Sequence, residues 1–119
     1  MKFTTPVIKG HGRGKTLGFP TFNLQIPADL QHKHGIYAGF VWIDKQKYPG
    51  AFHFGPIPVF SDSSPHLEVF VLDYNSHLPL DSLTFELVRY LRPIQNFSSP
   101  QALTTQISLD VTATRAMLH

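Results

Sequence analysis

The sequence predicts a mainly β domain that ends in a single C-terminal helix. Three observations carry that expectation. Aromatic and β-branched residues recur in short alternating runs, as they do on half-buried strands. Ten prolines and eight glycines are spread through the connections between those runs. Apolar residues return at helical spacing only near the C-terminus. At 119 residues the chain has room for one core and not for two, and no internal repeat or linker divides it. Short strands with Pro and Gly between them suit either a closed antiparallel barrel or a sandwich.

The elements are expected in this order. A first strand takes residues 7–9, followed by a glycine-rich loop, and residues 21–24 alternate as on a strand edge. Residues 36–44 are aromatic and β-branched, and Asp44, Lys45, Gln46 and Lys47 form a polar hairpin connection to a strand beginning at Tyr48. Residues 51–54 continue the meander, Gly55-Pro56-Ile57-Pro58 breaks it, and residues 61–65 are a turn-rich loop. Strands over 67–74 and 84–91 complete the β part. Ser99 is placed to cap the helix, with Pro100 at its first position, and Leu103, Ile107, Val111 and Leu118 form one apolar stripe. Four threonines lower the helix propensity of this segment, so it should depend on docking against the sheet.

Residues 10–24, Gly-His-Gly-Arg-Gly-Lys-Thr-Leu-Gly-Phe-Pro-Thr-Phe-Asn-Leu, are the most informative stretch. Glycines permit positive φ and close backbone approach, so N–H groups around Gly12, Gly14 and Gly18 can converge on phosphate oxygens while Arg13 and Lys15 supply charge. The run is not a Walker A loop, because no Gly-Lys-Ser/Thr triplet follows a four-residue spacer from a first glycine. Nor is it a dinucleotide fingerprint, because no helical pattern follows the last glycine. A plain glycine-rich connection between strands is the alternative. Pro20 pushes Phe19 toward extended backbone, after which Thr21 and Asn23 share one side of the strand edge. Their hydroxyl and amide oxygens are the hard donors that Mg²⁺ prefers; otherwise they bond the backbone of a turn.

Glu68 is the conspicuous acid, since it opens an otherwise apolar strand. Phe70 and Leu72 share its face while Leu67, Val69 and Val71 take the other, so its carboxylate is expected at the barrel rim or desolvated inside it. A carboxylate so placed suits a general base that takes the proton of an alcohol. A rim residue paired with a lysine is the structural alternative.

These residues carry a family resemblance. The glycine-rich loop running into Gly18-Phe19-Pro20-Thr21-Phe22-Asn23 resembles the Gly-Phe-Pro-Thr-x-Asn signature of riboflavin kinases. His34-Gly35-Ile36-Tyr37-Ala38 is similar to the family's Gly-Val-Tyr-Ala strand, and Leu67-Glu68-Val69-Phe70-Val71-Leu72-Asp73 to its Val-Glu-x-x-x-Leu-Asp segment. Leu91-Arg92-Pro93-Ile94-Gln95-Asn96-Phe97, then Leu103, Gln106-Ile107 and Asp110, resembles the closing strand and helix. The likeness runs from about Val7 to Leu118. It implies a six-stranded antiparallel Greek-key barrel with a C-terminal helix. It also implies transfer of the γ-phosphoryl of ATP to the ribityl 5′-hydroxyl of riboflavin, giving FMN and ADP. The implied roles are Gly12, Arg13, Gly14, Lys15, Gly18, Pro20, Thr21 and Asn23 for ATP, Thr21 and Asn23 for Mg²⁺, and Glu68 as general base. Arg92, Phe97 and Leu103 are the implied flavin contacts, a guanidinium and an aromatic ring being suited to a flat ring system.

Several positions depart from the family pattern. His53-Phe54-Gly55 stands where Asn-x-Gly is common, Pro58-Val59-Phe60 where Pro-Thr-Phe is, Pro79-Leu80 where Tyr-Gly is, and Ile94 where a glutamate follows Arg-Pro. Such changes are expected to lower flavin and nucleotide affinity while the intact signature preserves activity. A catalytically weakened flavin- or nucleotide-binding module is the second reading, and a small basic barrel serving as an RNA or protein partner module the third.

Composition bounds the rest. No cysteine is present, which excludes a disulfide scaffold and cysteine-ligated zinc, and no long apolar run suggests a leader or a membrane span. A cytoplasmic monomer is expected. Ten Lys and Arg residues against eight acids give a net charge of +2 with the cations scattered, so neither nucleic acid nor membrane is an expected partner. Seven histidines are present, but His32 and His34 lack a third ligand at a sensible interval, and His11 in the loop is placed either to touch a phosphate or to be solvated. With only a few residues ahead of the first strand, an adenylyltransferase domain and FAD synthesis are not expected.

Overall fold

The computed structural model describes residues 1–8, 21–56, 64–74, 79–96 and 99–118. Six strands are formed, β1 (Phe3–Ile8), β2 (Thr21–Leu24), β3 (Gly35–Ile43), β4 (Gln46–Gly55), β5 (His66–Val71) and β6 (Ser82–Arg92), followed by α1 (Pro100–Met117). Every pairing is antiparallel and the ladder closes on itself in the order β1-β2-β5-β4-β3-β6. β3, β4 and β5 follow one another as neighbours while β6 returns to lie beside β3, which is a Greek key. Closure leaves no free sheet edge, and the expected barrel with its C-terminal helix is the observed architecture.

Local chemistry explains most boundaries. β3 and β4 meet through a two-residue turn in which Asp44 and Lys45 take φ of 50° and 69°, the hand that matches strand twist. Gly39 is required by close approach, because a Cβ there would lie 2.1 Å from the Glu86 carbonyl oxygen where the β3–β6 register shifts. The three largest differences from the expected boundaries have a local cause. β1 begins at Phe3, because Pro6 is accommodated opposite Ser82 while its carbonyl accepts from Gln25 N–H at 3.1 Å. β4 runs unbroken through Pro49, opposite Phe40. β5 stops at Val71, since Asp73 turns the chain with a φ of 63°.

The barrel interior is filled by alternate residues of each strand. Leu24, Val41, Phe52, Leu67, Val69, Val71 and Phe85 are almost completely buried in one cluster, and Phe85 packs on Phe3 and Phe52 with ring centroids 5.4 and 5.6 Å apart. Burying each large apolar side chain contributes about 1.5–3 kcal/mol, so this cluster is the main source of stability. Leu30, on the connection between β2 and β3, joins the same cluster. Tyr37 donates its hydroxyl to the Lys33 carbonyl at 2.7 Å, and burial, with Tyr90 adding to it, pushes its phenol above the usual value.

α1 lies against the outside of the wall formed by β3, β4 and β6. Ser99 caps it, its hydroxyl accepting from Ala102 N–H at 3.1 Å. Leu103 and Ile107 pack on Ala51 and Phe70 of the barrel's outer surface. The expected stripe is observed at Leu103, Ile107 and Val111, but buried Asp110 and Thr114 share that face, with Leu118 half-buried at the C-cap. Two polar clasps hold the helix. Arg92 at the end of β6 donates two hydrogen bonds to Asp110, at 2.9 and 2.7 Å, and Gln106 donates to the same carboxylate at 3.1 Å. In the last turn of the helix, Arg115 grips Asp73 at 2.9 and 3.0 Å, and that hydrogen bonding holds the Asp73 carboxyl below its ordinary range.

Asp110→Ala leaves a mostly buried guanidinium without its carboxylate and should destabilise the domain by about 2–3 kcal/mol; urea unfolding measures this, and a loss under about 0.5 kcal/mol would show that the helix docks by apolar contact alone. Tyr37 supplies a pH dependence. Its folded pKa lies above the unfolded value of about 10, so its contribution is complete below that value and is lost as pH rises through the folded pKa. Tyr37→Phe should therefore flatten the loss of stability above about pH 10, measured by thermal unfolding across that range. An unchanged slope would remove Tyr37 as its cause.

Candidate functional site

One rung of the ladder gathers the chemistry. Asn23 of β2 is directly opposite Glu68 of β5, and Glu68 is directly opposite His53 of β4. Directly opposed residues in a sheet point to the same face, and neighbouring strands stand about 4.8 Å apart, so the three side chains rise side by side from one surface. The next rung along the same face carries Thr21, Phe70 and Ala51. Thr21 and Asn23 thus share a side of β2, as the sequence suggests, with Phe22 and Leu24 turned to the core between and beyond them.

That shared face is the outer surface of the barrel. Glu68 therefore sits neither at the rim nor inside, and both of those expectations are corrected. Leu67, Val69 and Val71 occupy the interior, so strand alternation sends Glu68 outward. It is nonetheless 0% exposed, and Asn23 is 7% exposed. A carboxylate fully withdrawn from solvent on the outside of a barrel wall is a placement that packing alone does not require, because the interior is already filled with apolar groups. A cleft of about 200 Å³ opens along β2 and the start of β5, lined by Ile8, Asn23, Leu24, Ile26, His66 and Leu67 among others, and it reaches Asn23 but not Glu68.

Around Glu68 the surface divides into a polar side and an apolar side. Toward β2 lie the oxygen donors Thr21 and Asn23. Toward the helix lies Phe70, which meets Leu103 through the cluster with Ala51 and Ile107. On the β4 side, His53 places Nε2 at 3.2 Å from the Gly55 carbonyl oxygen and 3.0 Å from that of Pro56. Both partners only accept, so Nε2 carries the proton and donates to them. The same rung continues through Ile36 to Arg92, whose guanidinium also donates to the Pro93 carbonyl at 3.0 Å. Arg92 is thus oriented by Asp110, and Leu103 by the helix that this pair docks.

Of the residues singled out in the sequence, Thr21, Asn23 and Glu68 come together, with Leu103 one step along the same face and Arg92 farther round the rung. Gly12, Arg13, Gly14, Lys15, Gly18, Pro20 and Phe97, as well as His11 and Val59, lie outside the described residues. His32 packs edge-on against Phe3 and Tyr37, and His34 against Phe54. Two neighbours of the site were not chosen from the sequence. His53 has a signal in hindsight, a polar residue between two core phenylalanines of β4, which fixes its outward face. Asp110 has one in its position on the apolar stripe of α1, where a lone acid needs a cation.

The donor set fits a hard divalent cation, since Asn23 and Thr21 offer an amide and a hydroxyl oxygen on one face beside a carboxylate. The chain is similar to several known proteins. A bifunctional riboflavin kinase/FMN adenylyltransferase from Pseudomonas fluorescens is 38% identical over 112 residues, covering 93% of this chain and 36% of that protein. Riboflavin kinase from Trypanosoma brucei superposes with a TM-score of 0.67 at 25% identity, covering 98% of this chain and 78% of its own. A macrolide-efflux protein from Streptococcus pneumoniae superposes with a TM-score of 0.81 at 27% identity, over 96% of this chain and 38% of that one. The chain spans about a third of the length of the first curated relatives it matches. The Flavokinase family, described as riboflavin kinase, matches residues 1–118, and the chain belongs to that family.

Proposed function

We propose that this domain transfers the γ-phosphoryl group of ATP to the ribityl 5′-hydroxyl of riboflavin, forming FMN and ADP. The observation that carries the reading is the buried carboxylate of Glu68 beside Asn23 on the outer face of the barrel, in a chain of the riboflavin kinase family. Phosphoryl transfer asks a protein mainly for positioning and charge neutralisation, and a filled, closed barrel is a rigid wall on which to mount both.

In this reading Glu68 accepts the proton of the ribityl hydroxyl as its oxygen forms a bond to the γ-phosphorus, and the bond from that phosphorus to the β,γ-bridging oxygen breaks to release ADP. Exclusion of solvent from Glu68 strengthens its interaction with the alcohol. Thr21 and Asn23 would hold Mg²⁺, which supplies charge neutralisation for the phosphates when bound. Arg13, Lys15, Pro20 and the amides of Gly12, Gly14 and Gly18 would hold the nucleotide. Leu103, with Phe97 and the Arg92 segment, would take the isoalloxazine, Leu103 offering apolar surface next to Phe70. The domain would work as a cytoplasmic monomer. Among its described residues no helix is long and apolar enough to cross a membrane.

Glu68→Gln preserves size and removes the base. It should lower kcat by about 10²-fold or more with riboflavin binding retained, read from FMN formation at saturating substrates; turnover within about twofold of the parent would take Glu68 out of the mechanism. Thr21→Ala removes one hard oxygen and should weaken Mg²⁺-ATP binding more than binding of metal-free ATP. Isothermal titration separates the two, and equal weakening would make Thr21 structural.

A further inference from the structure

His53 does more than fill the rung beside Glu68. Its imidazole N–H is shared between two successive carbonyl oxygens, those of Gly55 at 3.2 Å and Pro56 at 3.0 Å, so one side chain closes the end of β4 onto itself. Gly55 is pressed from its other side. Its φ is +133°, and a Cβ there would lie 2.5 Å from Cδ1 of Ile94 and 3.0 Å from Cβ of His34, so the strand end has no room for a side chain. Ile94 follows directly on Arg92 and Pro93. The backbone at Gly55–Pro56 is therefore held by His53 from the Glu68 side and by Ile94 from the Arg92 side.

We propose that His53 is a positioning residue for the riboflavin side of the reaction: its Nε2–H forms a strap with the Gly55 and Pro56 carbonyls that fixes the rung next to Glu68 relative to the Ile94 segment. This rests on the kinase reading given above. His53 and Ile94 meet on this one stretch of backbone. The strap is at the opposite side of Glu68 from Thr21 and Asn23, so loosening it should disturb the alcohol acceptor and spare the nucleotide.

The test compares His53→Asn and His53→Gln in the full chain. The glutamine amide nitrogen is as many bonds from the backbone as Nε2, whereas the asparagine amide ends one bond short. Against the expectation that a histidine at this position lowers flavin affinity, His53→Asn should lower kcat/KM for riboflavin by about tenfold or more, a displaced acceptor being costly in rate, while KM for ATP stays within about twofold. His53→Gln should recover most of the loss. Parental values in both variants, equal losses in both, or an ATP KM that rises in step with the riboflavin effect would overturn the proposal. A second readout needs no turnover: ¹⁵N spectra of the parent should show the neutral His53 ring protonated at Nε2, and protonation at Nδ1 would overturn the strap. A parent that forms no FMN would remove the kinase reading alone, and the tautomer would then decide whether the strap exists.

Discussion

A closed ladder cannot slip. Moving β5 by one residue against β2 and β4 would turn Leu67, Val69 and Val71 out of the core and drive Glu68 and Phe70 into it, placing a carboxylate among the apolar groups that fill the barrel. Register is thus set by the hydrophobic interior, and everything on the outer wall inherits its position from that choice. Asn23, Glu68 and His53 stand in line because Leu24, Leu67 and Phe54 must stand in line on the other side. The site is precise because it is mounted on the back of the core.

Burial on the outer wall needs a cover, and α1 supplies part of it. The helix has a weak intrinsic tendency to form, with four threonines among its residues. Its docking rests on Leu103, Ile107 and Val111 together with the Arg92–Asp110 pair. Arg92 therefore links the barrel's last strand to the helix, and Leu103 reaches the surface near Glu68 only because that link holds. A guanidinium engaged by a carboxylate, a second donor from Gln106 and a backbone carbonyl have a fixed orientation. Packing and chemistry share the same residues on this side of the molecule.

Much of the fold was legible in the residues. Strand alternation, the Ser99-Pro100 cap and the polar turn at Asp44-Lys45 each carry a local signal, and the structure has an element at each place. Closure of the barrel was not a local signal and came from the family likeness. Boundaries slipped where proline masked a strand, at Pro6 and Pro49, and where Asp73 ended one early. Thr21 and Asn23 could be paired from period-2 alternation alone. The placement of Glu68 could not, because a charged residue on an apolar strand reads as rim or interior until the register of three strands is known. His53 and Asp110 depend on contacts between residues far apart in the chain, Arg92 with Asp110 and β4 with β5, and a linear reading has no access to those.

In the proposed reaction the outer wall around Glu68 passes a phosphoryl group from ATP to an alcohol of riboflavin. The most direct measurement is product analysis after incubation of the protein with riboflavin, ATP and Mg²⁺, with FMN and ADP quantified in the same samples. FMN should accumulate in equal amount with ADP, and neither should form above background when riboflavin is omitted. ADP released without FMN, or no FMN from a folded protein that binds both substrates, would contradict this proposal.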